Sequence, residues 1–350
     1  MYDSFRIRRF KLFDDFRIEG LQRVNLITGR NNAGKTALLE ALFLHGGAVN
    51  IGLPFSIERL RGVTDVGPRL ESATAWLFTG SDTTAPIELE AQDERGIVRS
   101  CTLQLVQAPV VIPPGGSEED SLGTGYALEM TFRDLTNPSR PHVLSSRAIR
   151  DKDRLLLDPP PRPPLYNGVF VTTRGFDHKA DAARFSEMTK SVGEEEELVR
   201  ALRIVDQTVK AVRLHSHNGI TMIHLDIGLP RFLPLAYAGE GMARLAQILV
   251  AIGNSKNGIT LIDEFGAGIH YSLLPKVWEA VAAFAGRFNA QLFATTHSVE
   301  CIAAAHEVFS TRQYEFRLFR LDRTRDGKVV ARAFDKEALD AGLKTELEIR

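Results

Sequence analysis

The stretch LITGRNNAGKTALLEAL, residues 26–42, decides the fold of this 350-residue chain. It begins with apolar residues, continues through glycines and asparagines, and ends in an apolar run that Gly46 and Gly47 stop. This order predicts a buried strand, a tight loop and a buried helix. Because a helix start presents backbone N–H groups and the positive end of the helix dipole, the loop predicts a phosphate-binding site.

The residues of this loop fit the spacing G-x-x-x-x-G-K-[ST]. With this spacing, Lys35 places a positive charge at the β- and γ-phosphates, and the Thr36 hydroxyl binds Mg²⁺. Asn32 stands where glycine is common, and asparagine tolerates a positive φ. A chain of this length matches by chance about once in a hundred times. The sequence therefore predicts nucleotide binding by Gly29, Arg30, Asn31, Asn32, Ala33, Gly34, Lys35 and Thr36.

Two later segments carry side chains suited to hydrolysis. The apolar run GITLIDEFG, residues 258–266, predicts a buried strand that ends in Asp263 and Glu264. At that end Asp263 can hold Mg²⁺, and Glu264 can polarise the attacking water. The next predicted strand, within QLFATTHS, ends in His297, which we expect beside Glu264 and near the γ-phosphate. The alternative for His297 is a plain strand end before a helix that Ser298 caps.

The composition predicts a globular protein from an intracellular, reducing compartment. The chain is 44% apolar and 25% charged, and no stretch approaches the roughly 18 apolar residues that a membrane span needs. The first residues have no apolar signal core, and Cys101 and Cys301 are too few for a disulfide framework or a zinc site. We therefore expect a cytoplasmic protein with no membrane partner.

The net charge is −1, yet basic residues crowd the first strands. These residues are Arg6, Arg8, Arg9, Lys11, Arg17 and Arg23. The preferred interpretation is an ordinary set of solvated strand faces. The alternative is an edge that faces DNA or a nucleotide.

Periodicity along the chain predicts a single α/β domain of residues 1–350. Strands and helices alternate in the last third, which indicates a mostly parallel sheet with crossover helices. Residues 1–50 and 166–350 are predicted to form this core, with a short helical arm at 178–213. Residues 72–157 alternate with period two, which predicts an inserted antiparallel β lobe.

The order of four motifs resembles that of ABC-type ATPases. The motifs are GRNNAGKT, AYAGEGMARLAQIL, LIDEFGAGIH and ATTHS. Within this superfamily the chain resembles the soluble branch that contains RecF, the SMC heads and the OLD-family ATPases. It is most similar to the OLD-like group, whose members are called AAA family ATPases although their core is ABC-like. The resemblance implies a P-loop NTPase fold of the ABC type and an Mg²⁺-dependent ATPase activity.

The resemblance also implies a head-to-tail homodimer around two ATP molecules, in which each loop is completed by the partner's signature motif. That motif falls at residues 237–241, YAGEG, in which Gly239, Glu240 and Gly241 lie at a predicted helix start. Family signatures carry a serine near Tyr237, so this contact departs from the family pattern. His270 is a candidate cross-subunit contact. The glutamine that links the β lobe to Mg²⁺ in the family is left open among Gln92, Gln104 and Gln107.

Three roles for the ATPase remain open. The first role is a molecular switch: ATP closes a dimer, hydrolysis opens it, and a partner responds to the state. OLD-like ATPases often carry a TOPRIM nuclease domain or work beside a separately encoded effector, frequently in antiphage defence. No acidic TOPRIM pattern follows His297, so we expect the effector to act in trans. The second role is a RecF-like DNA-repair clamp, which near-neutral charge disfavours. The third is the energy subunit of a transporter, which the poor match to the LSGGQ signature disfavours. The alternative to an ATPase is a protein that binds the nucleotide as a purely structural ligand. This alternative requires Glu264 to be inert.

Overall fold

A computed structural model describes residues 1–47, 50–63, 69–109, 124–137, 139–151, 154–160, 164, 166–173, 177–311 and 315–344. The chain divides into two compact units. The antiparallel unit consists of Met1–Leu21, Asn32–Tyr166 and Asp322–Ala331. The parallel unit consists of Gln22–Asn31, Asn167–Leu321 and Arg332–Arg350.

Between residues 240 and 310 helices alternate with strands, as the sequence predicts for the last third of the chain, whereas residues 87–158 form strands alone where the structure describes them. The first eight strands are β1 (Tyr2–Phe10), β2 (Phe13–Glu19), β3 (Val24–Gly29), β4 (Ile87–Asp93), β5 (Val98–Pro109), β6 (Thr124–Asp134), β7 (His142–Asp151) and β8 (Arg154–Asp158). The others are β9 (Gly168–Val171), β10 (Ala211–His217), β11 (Ile220–Asp226), β12 (Leu233–Pro234), β13 (Ile259–Ile262), β14 (Gln291–Thr295), β15 (Phe316–Arg323) and β16 (Val329–Phe334). The helices are α1 (Lys35–Gly46), α2 (Leu53–Leu60), α3 (Leu70–Thr74), α4 (His178–Met188), α5 (Glu194–Leu202), α6 (Glu240–Asn254), α7 (Leu274–Arg287), α8 (Val299–Ser310) and α9 (Lys336–Lys344).

A seven-stranded antiparallel sheet forms the frame of the antiparallel unit. Its strand order is β2-β1-β4-β5-β6-β7-β8. The alternating burial of β4 fits a sheet with one covered face, as its period-two sequence predicts. Helix α1 packs against β4 and β5 of this sheet.

The make-up of this sheet differs from the predicted organisation. From their sequence, residues 1–50 are predicted to belong to the parallel core, and the lobe is predicted to begin at residue 72. In the structure β1 pairs with β4, with Ile7 opposite Leu89. The lobe therefore contains strands that precede the loop of residues 29–36 in the chain and strands that follow it. The reason is that strand pairing is a long-range choice, which the local period of β1 and β2 does not encode.

The parallel unit is organised around the sheet β16-β15-β3-β14-β13-β9. Strand β3 lies between β14 and β15 and is parallel to both, and β13 lies parallel to β14 and β9. Every residue of β3, β13 and β14 is buried. Their nearly continuous apolar sequences are typical of parallel strands covered on both faces.

The predicted helical arm is two short helices that pack on the parallel unit. Helix α4 contacts α6 and β11, and it buries Phe185 and Met188. Helix α5 ends at Leu202 and packs against α6, and residues 211–213 already belong to β10. The polar sequence of residues 178–202 therefore reflects helices that have one exposed face. The buried face of α4 packs against α6.

Five of the six basic residues at the first strands form ion pairs with acids. The pairs are Arg6–Asp15, Arg8–Glu88, Lys11–Glu40, Arg17–Glu19 and Arg23–Glu315, at N···O distances of 2.5–2.8 Å. Pairing neutralises the positive charge that a phosphate backbone would need. The arrangement supports the interpretation of these residues as ordinary strand faces.

His45, on the last turn of α1, is buried and serves packing. Its Nδ1 lies 2.8 Å from the Tyr2 hydroxyl, and its Nε2 lies 3.1 Å from the Arg99 carbonyl oxygen. Burial lowers the pKa of His45 to about 4, so the ring is neutral at pH 7.

Within the described part of the chain, no helix is long and apolar enough to cross a membrane.

Candidate nucleotide site

Three neighbouring strands of the parallel unit end at one edge of the sheet. Strand β3 ends at Gly29, β14 ends at Thr295 and β13 ends at Ile262. Because the three are parallel and adjacent in the order β3-β14-β13, the residues that follow them leave the sheet on the same side. Ligands of open parallel sheets bind at this carboxyl edge.

The loop between β3 and α1 has the backbone of an anion-binding turn. Gly29 has φ 138°, and a Cβ there would collide with the Leu321 carbonyl oxygen, so only glycine fits. Asn32 has φ 62°, the positive value that the sequence predicts, and Gly34 has φ 100°. The helix begins at Lys35, whose side chain is buried. The division between the two units falls inside this loop, after Asn31.

The acids after β13 are held by a threonine of β14. The Thr295 Oγ1 donates a hydrogen bond of 2.7 Å to the Asp263 Oδ1 and accepts one of 2.8 Å from the Glu264 N–H. Glu264 has φ 51°, a left-handed value that is uncommon outside glycine and asparagine. The next residue, Phe265, is fully buried and stacks on Trp278 at 3.8 Å between ring centroids. The segment is therefore fixed on both sides of Glu264.

His297 lies beside Glu264, as expected from the order of the strands. Its Nε2 is 3.1 Å from the Glu264 Oε1. The side chains are 43% and 33% exposed, respectively, so both are open to a ligand and to water. Ser298 caps α8 through a hydrogen bond from the Cys301 N–H, as the alternative interpretation of this segment predicts. The cap and the contact with Glu264 coexist, because they use successive residues.

The predicted signature motif lies at the exposed start of α6. Gly239 has φ 87° and ψ 146°, a combination that only glycine adopts readily, and α6 begins at Glu240. Tyr237, at the expected serine position, is 69% exposed. A Cβ on Gly268 would fall on the Glu240 side chain, so the first turn of α6 packs closely against the segment after Glu264.

The remaining candidates take ordinary positions. The exposed His270 accepts a hydrogen bond from the Ser272 N–H at 3.4 Å, and its Nδ1 lies 2.8 Å from the Ser272 Oγ. Gln92 lies on β4, whereas Gln104 and Gln107 lie on β5. The Gln104 amide donates to Glu129 at 3.3 Å. None of these contacts selects one glutamine as the link to Mg²⁺.

Sequence reasoning missed two residues of the site, Thr295 and Arg244. Thr295 is one letter of the apolar strand QLFAT, and its hydroxyl carries no motif. Arg244 is a charged residue inside the apolar helix sequence EGMARLAQIL, and it is buried. A cation at a core position of a helix is the signal that marks it.

The protein side chains fit a magnesium nucleotide better than an all-protein metal site. Within the described residues, no group of three or more histidine, cysteine, aspartate or glutamate side chains is arranged to hold a metal. Mg²⁺ takes one or two protein oxygens and completes its shell with phosphates and water. The Asp263 carboxylate, oriented by Thr295, is an oxygen donor of this kind.

Comparison with known proteins shows the family to which the chain belongs. A family model described as “AAA domain, putative AbiEii toxin, Type IV TA system” matches residues 126–303, about half of the chain. A second model, described as “AAA domain”, matches residues 4–102. A Helicobacter pylori protein described as “ATP/GTP phosphatase” is 24% identical over 371 residues, and the match covers 99% of this chain and 99% of that protein.

A solved structure shares the fold. It is an SMC head bound to the C-winged helix domain of ScpA, with a TM-score of 0.52 and 12% identity over 98% of this chain and 99% of that one. At this identity the similarity shows the fold alone, which is that of an SMC head domain. Together with the nucleotide-loop motif, the family match leads to one conclusion. The chain is an ATPase and belongs to the AAA-domain family whose model matches residues 126–303.

Proposed function

We propose that this ATPase is an OLD-like molecular switch that closes as a homodimer around ATP and controls an effector acting in trans. The observation that carries the hydrolytic part is the connected set Asp263, Thr295, Glu264 and His297 at the carboxyl edge of the sheet. These side chains combine a metal ligand, a candidate general base and a histidine that contacts it.

The proposed roles follow from the motif to which each residue belongs. The loop from Gly29 to Thr36 wraps the phosphates, with Lys35 as the point charge and Thr36 and Asp263 as the Mg²⁺ ligands. Glu264 activates the attacking water, and His297 senses the γ-phosphate from its position 3.1 Å from that carboxylate. Mg²⁺, when bound, neutralises the charge that develops on the phosphates.

The dimer is proposed from the exposed start of α6. Gly239, Glu240 and Gly241 lie at a helix N-terminus, where backbone N–H groups attract an anion. Because Gly239 has open space around its Cβ position, a phosphate of a second copy can approach its backbone closely. Tyr237 offers a phenol hydroxyl at the expected serine position and is exposed enough to take part.

The effector is proposed from the resemblance and the family description. That description names a putative toxin of a toxin–antitoxin system, which supports a protein whose output is switched, and the role in antiphage defence is proposed from the resemblance to the OLD-like group alone. A DNA-repair clamp receives less support because five of the six basic residues at the first strands form ion pairs with acids. Among the described residues, no contact supports the transporter role.

The solution mass of the Glu264→Gln protein, measured by light scattering with and without Mg-ATP, tests the switch. Because this variant binds ATP without consuming it, we expect its mass to double when Mg-ATP is added. The matched control is Lys35→Ala, which should stay monomeric under both conditions. A mass that does not change with ATP, whether of a monomer or of a constant assembly, would contradict the proposal.

A further inference from the structure

Arg244, in the second turn of α6, donates hydrogen bonds to the backbone of both acids after β13. Its Nη2 lies 2.7 Å from the Asp263 carbonyl oxygen and 3.3 Å from the Glu264 carbonyl oxygen. Its Nη1 lies 2.9 Å from the Thr172 carbonyl oxygen and 3.0 Å from the Gln247 Oε1. The guanidinium thus ties α6 to the ends of β9 and β13.

Among the described residues, this buried cation donates to carbonyl and amide oxygens and forms no ion pair with a carboxylate. Arg244 is 5% exposed, and burial lowers its pKa from the ordinary value. Removing a charged group from water costs several kcal/mol unless hydrogen bonds replace the lost hydration. Here carbonyl oxygens and the Gln247 amide accept from Nη1 and Nη2, whereas Nε has no partner among the described residues, and Gln247 in turn donates to Asp181 of α4 at 3.3 Å. An apolar residue at this buried position of α6 would avoid the free-energy cost of desolvating a charge. A role other than packing therefore has to explain the arginine.

The backbone of Glu264 supplies that reason. Its φ of 51° lies in the left-handed region, which is strained for a residue with a Cβ. Thr295 accepts the Glu264 N–H on one side, and Arg244 donates to the carbonyls of Asp263 and Glu264. The peptide groups on both sides of the Glu264 Cα are therefore held. The direction of its carboxylate, which meets His297, depends on these contacts.

The same helix begins at the predicted signature motif. One turn before Arg244, the Glu240 side chain lies against Gly268, and a Cβ on Gly241 would lie 3.2 Å from the Gly268 carbonyl oxygen. The start of α6 is thus joined to the segment 263–268 at two points. A shift of α6 along its axis would move the carbonyls that Arg244 holds.

We infer that Arg244, together with Thr295, is a positioning residue that holds Glu264 in its left-handed conformation and links the start of α6 to the catalytic carboxylate. This inference rests on the proposed role of Glu264 as the general base. A positioned base loses rate steeply when it moves, since a displacement of about 1 Å costs on the order of 100-fold.

The test compares two pairs of variants with wild type. We expect Arg244→Met and Thr295→Val to lower kcat by about 10- to 100-fold, with the affinity for a fluorescent ATP analogue within about threefold of wild type. Thr295→Ser keeps the hydroxyl, and Arg244→Lys keeps a donor. Each should recover part of the rate that the apolar variant at the same position loses. Thr260→Val is the matched control, because Thr260 is a buried threonine on neighbouring β13 whose hydroxyl has no partner among the described residues.

The outcomes separate this inference from the proposed function. If Glu264→Gln is inactive while Arg244→Met and Thr295→Val keep wild-type kcat, the positioning role is wrong and the base assignment stands. If Glu264→Gln keeps wild-type kcat, the base assignment fails first. If Thr295→Val loses ATP affinity as much as kcat, its role is merely structural and the inference fails. If Arg244→Met does not fold, the Thr295 pair decides, because threonine and valine have the same shape.

Discussion

Replacing Glu264 with glutamine is expected to lower kcat for ATP by about 100- to 10,000-fold, the range that a general base contributes. The amide keeps the size of the side chain and its approach to His297, but it cannot accept a proton from water. The backbone contacts of Glu264 with Thr295 and Arg244 do not involve the carboxylate, so they remain. ATP affinity should therefore stay within about threefold of wild type.

Phosphate release and binding of a fluorescent ATP analogue, measured on the same preparation, check this result. The control is Glu279→Gln, an exposed glutamate on α7, which should behave as wild type. Normal turnover by Glu264→Gln would overturn the assignment of the base. Loss of ATP affinity equal to the loss of kcat would place Glu264 in binding instead.

Replacing Lys35 with alanine is expected to weaken ATP binding by about 100-fold or more. A hydrogen bond to a charged group contributes about 1.5–3 kcal/mol, and a lysine of this motif serves two phosphates. Because 1.4 kcal/mol corresponds to a factor of ten, the loss of both contacts gives roughly this factor. Turnover should fall with binding, since ATP no longer occupies the site.

Calorimetric titration with Mg-ATP measures the effect. Lys35→Met keeps the aliphatic chain in its buried position, so the same loss of affinity with an unchanged melting temperature would assign the effect to the charge. Lys190→Ala, at an exposed lysine that pairs with Glu187, is the control. Wild-type affinity in Lys35→Met would mean that the loop binds no phosphate through this lysine.

Local sequence predicts the parts of the site that depend on neighbouring residues. The positive φ of Asn32 follows from the glycine-rich loop, and the first residues of α6 and α8, with the Ser298 cap of α8, follow from their start signals. His297 was expected near Glu264 because consecutive strands of a parallel sheet end at one edge, and its Nε2 lies 3.1 Å from that carboxylate. In each case the information lies within a few residues or in the alternation of strands and helices.

The features that sequence did not predict depend on distant partners. The pairing of β1 with β4 joins segments about 80 residues apart, and nothing in β1 names its neighbour. The polar faces of α4 and α5 suggested an arm, although the Phe185 side chain of α4 is buried in the core. Arg244 reaches backbone carbonyls 19 and 20 residues away, and a carbonyl carries no sequence signal.

The central claim, that ATP is hydrolysed where the loop of one copy meets the α6 start of another, is tested most directly by mixing two inactive variants. Glu264→Gln removes the base, and Gly239→Asp places a carboxylate at the helix start that faces the partner's phosphate. Gly193→Asp is the control, since Gly193 also precedes a helix with a positive φ and open space around its Cβ position.

Each variant alone should be inactive, whereas Gly193→Asp should be active. In an equal mixture, half of the dimers combine the two variants and contain one intact site of two, so we predict about a quarter of wild-type ATPase activity. A mixture no more active than the sum of its parts, or full activity of Gly239→Asp alone, would contradict a site shared between two copies.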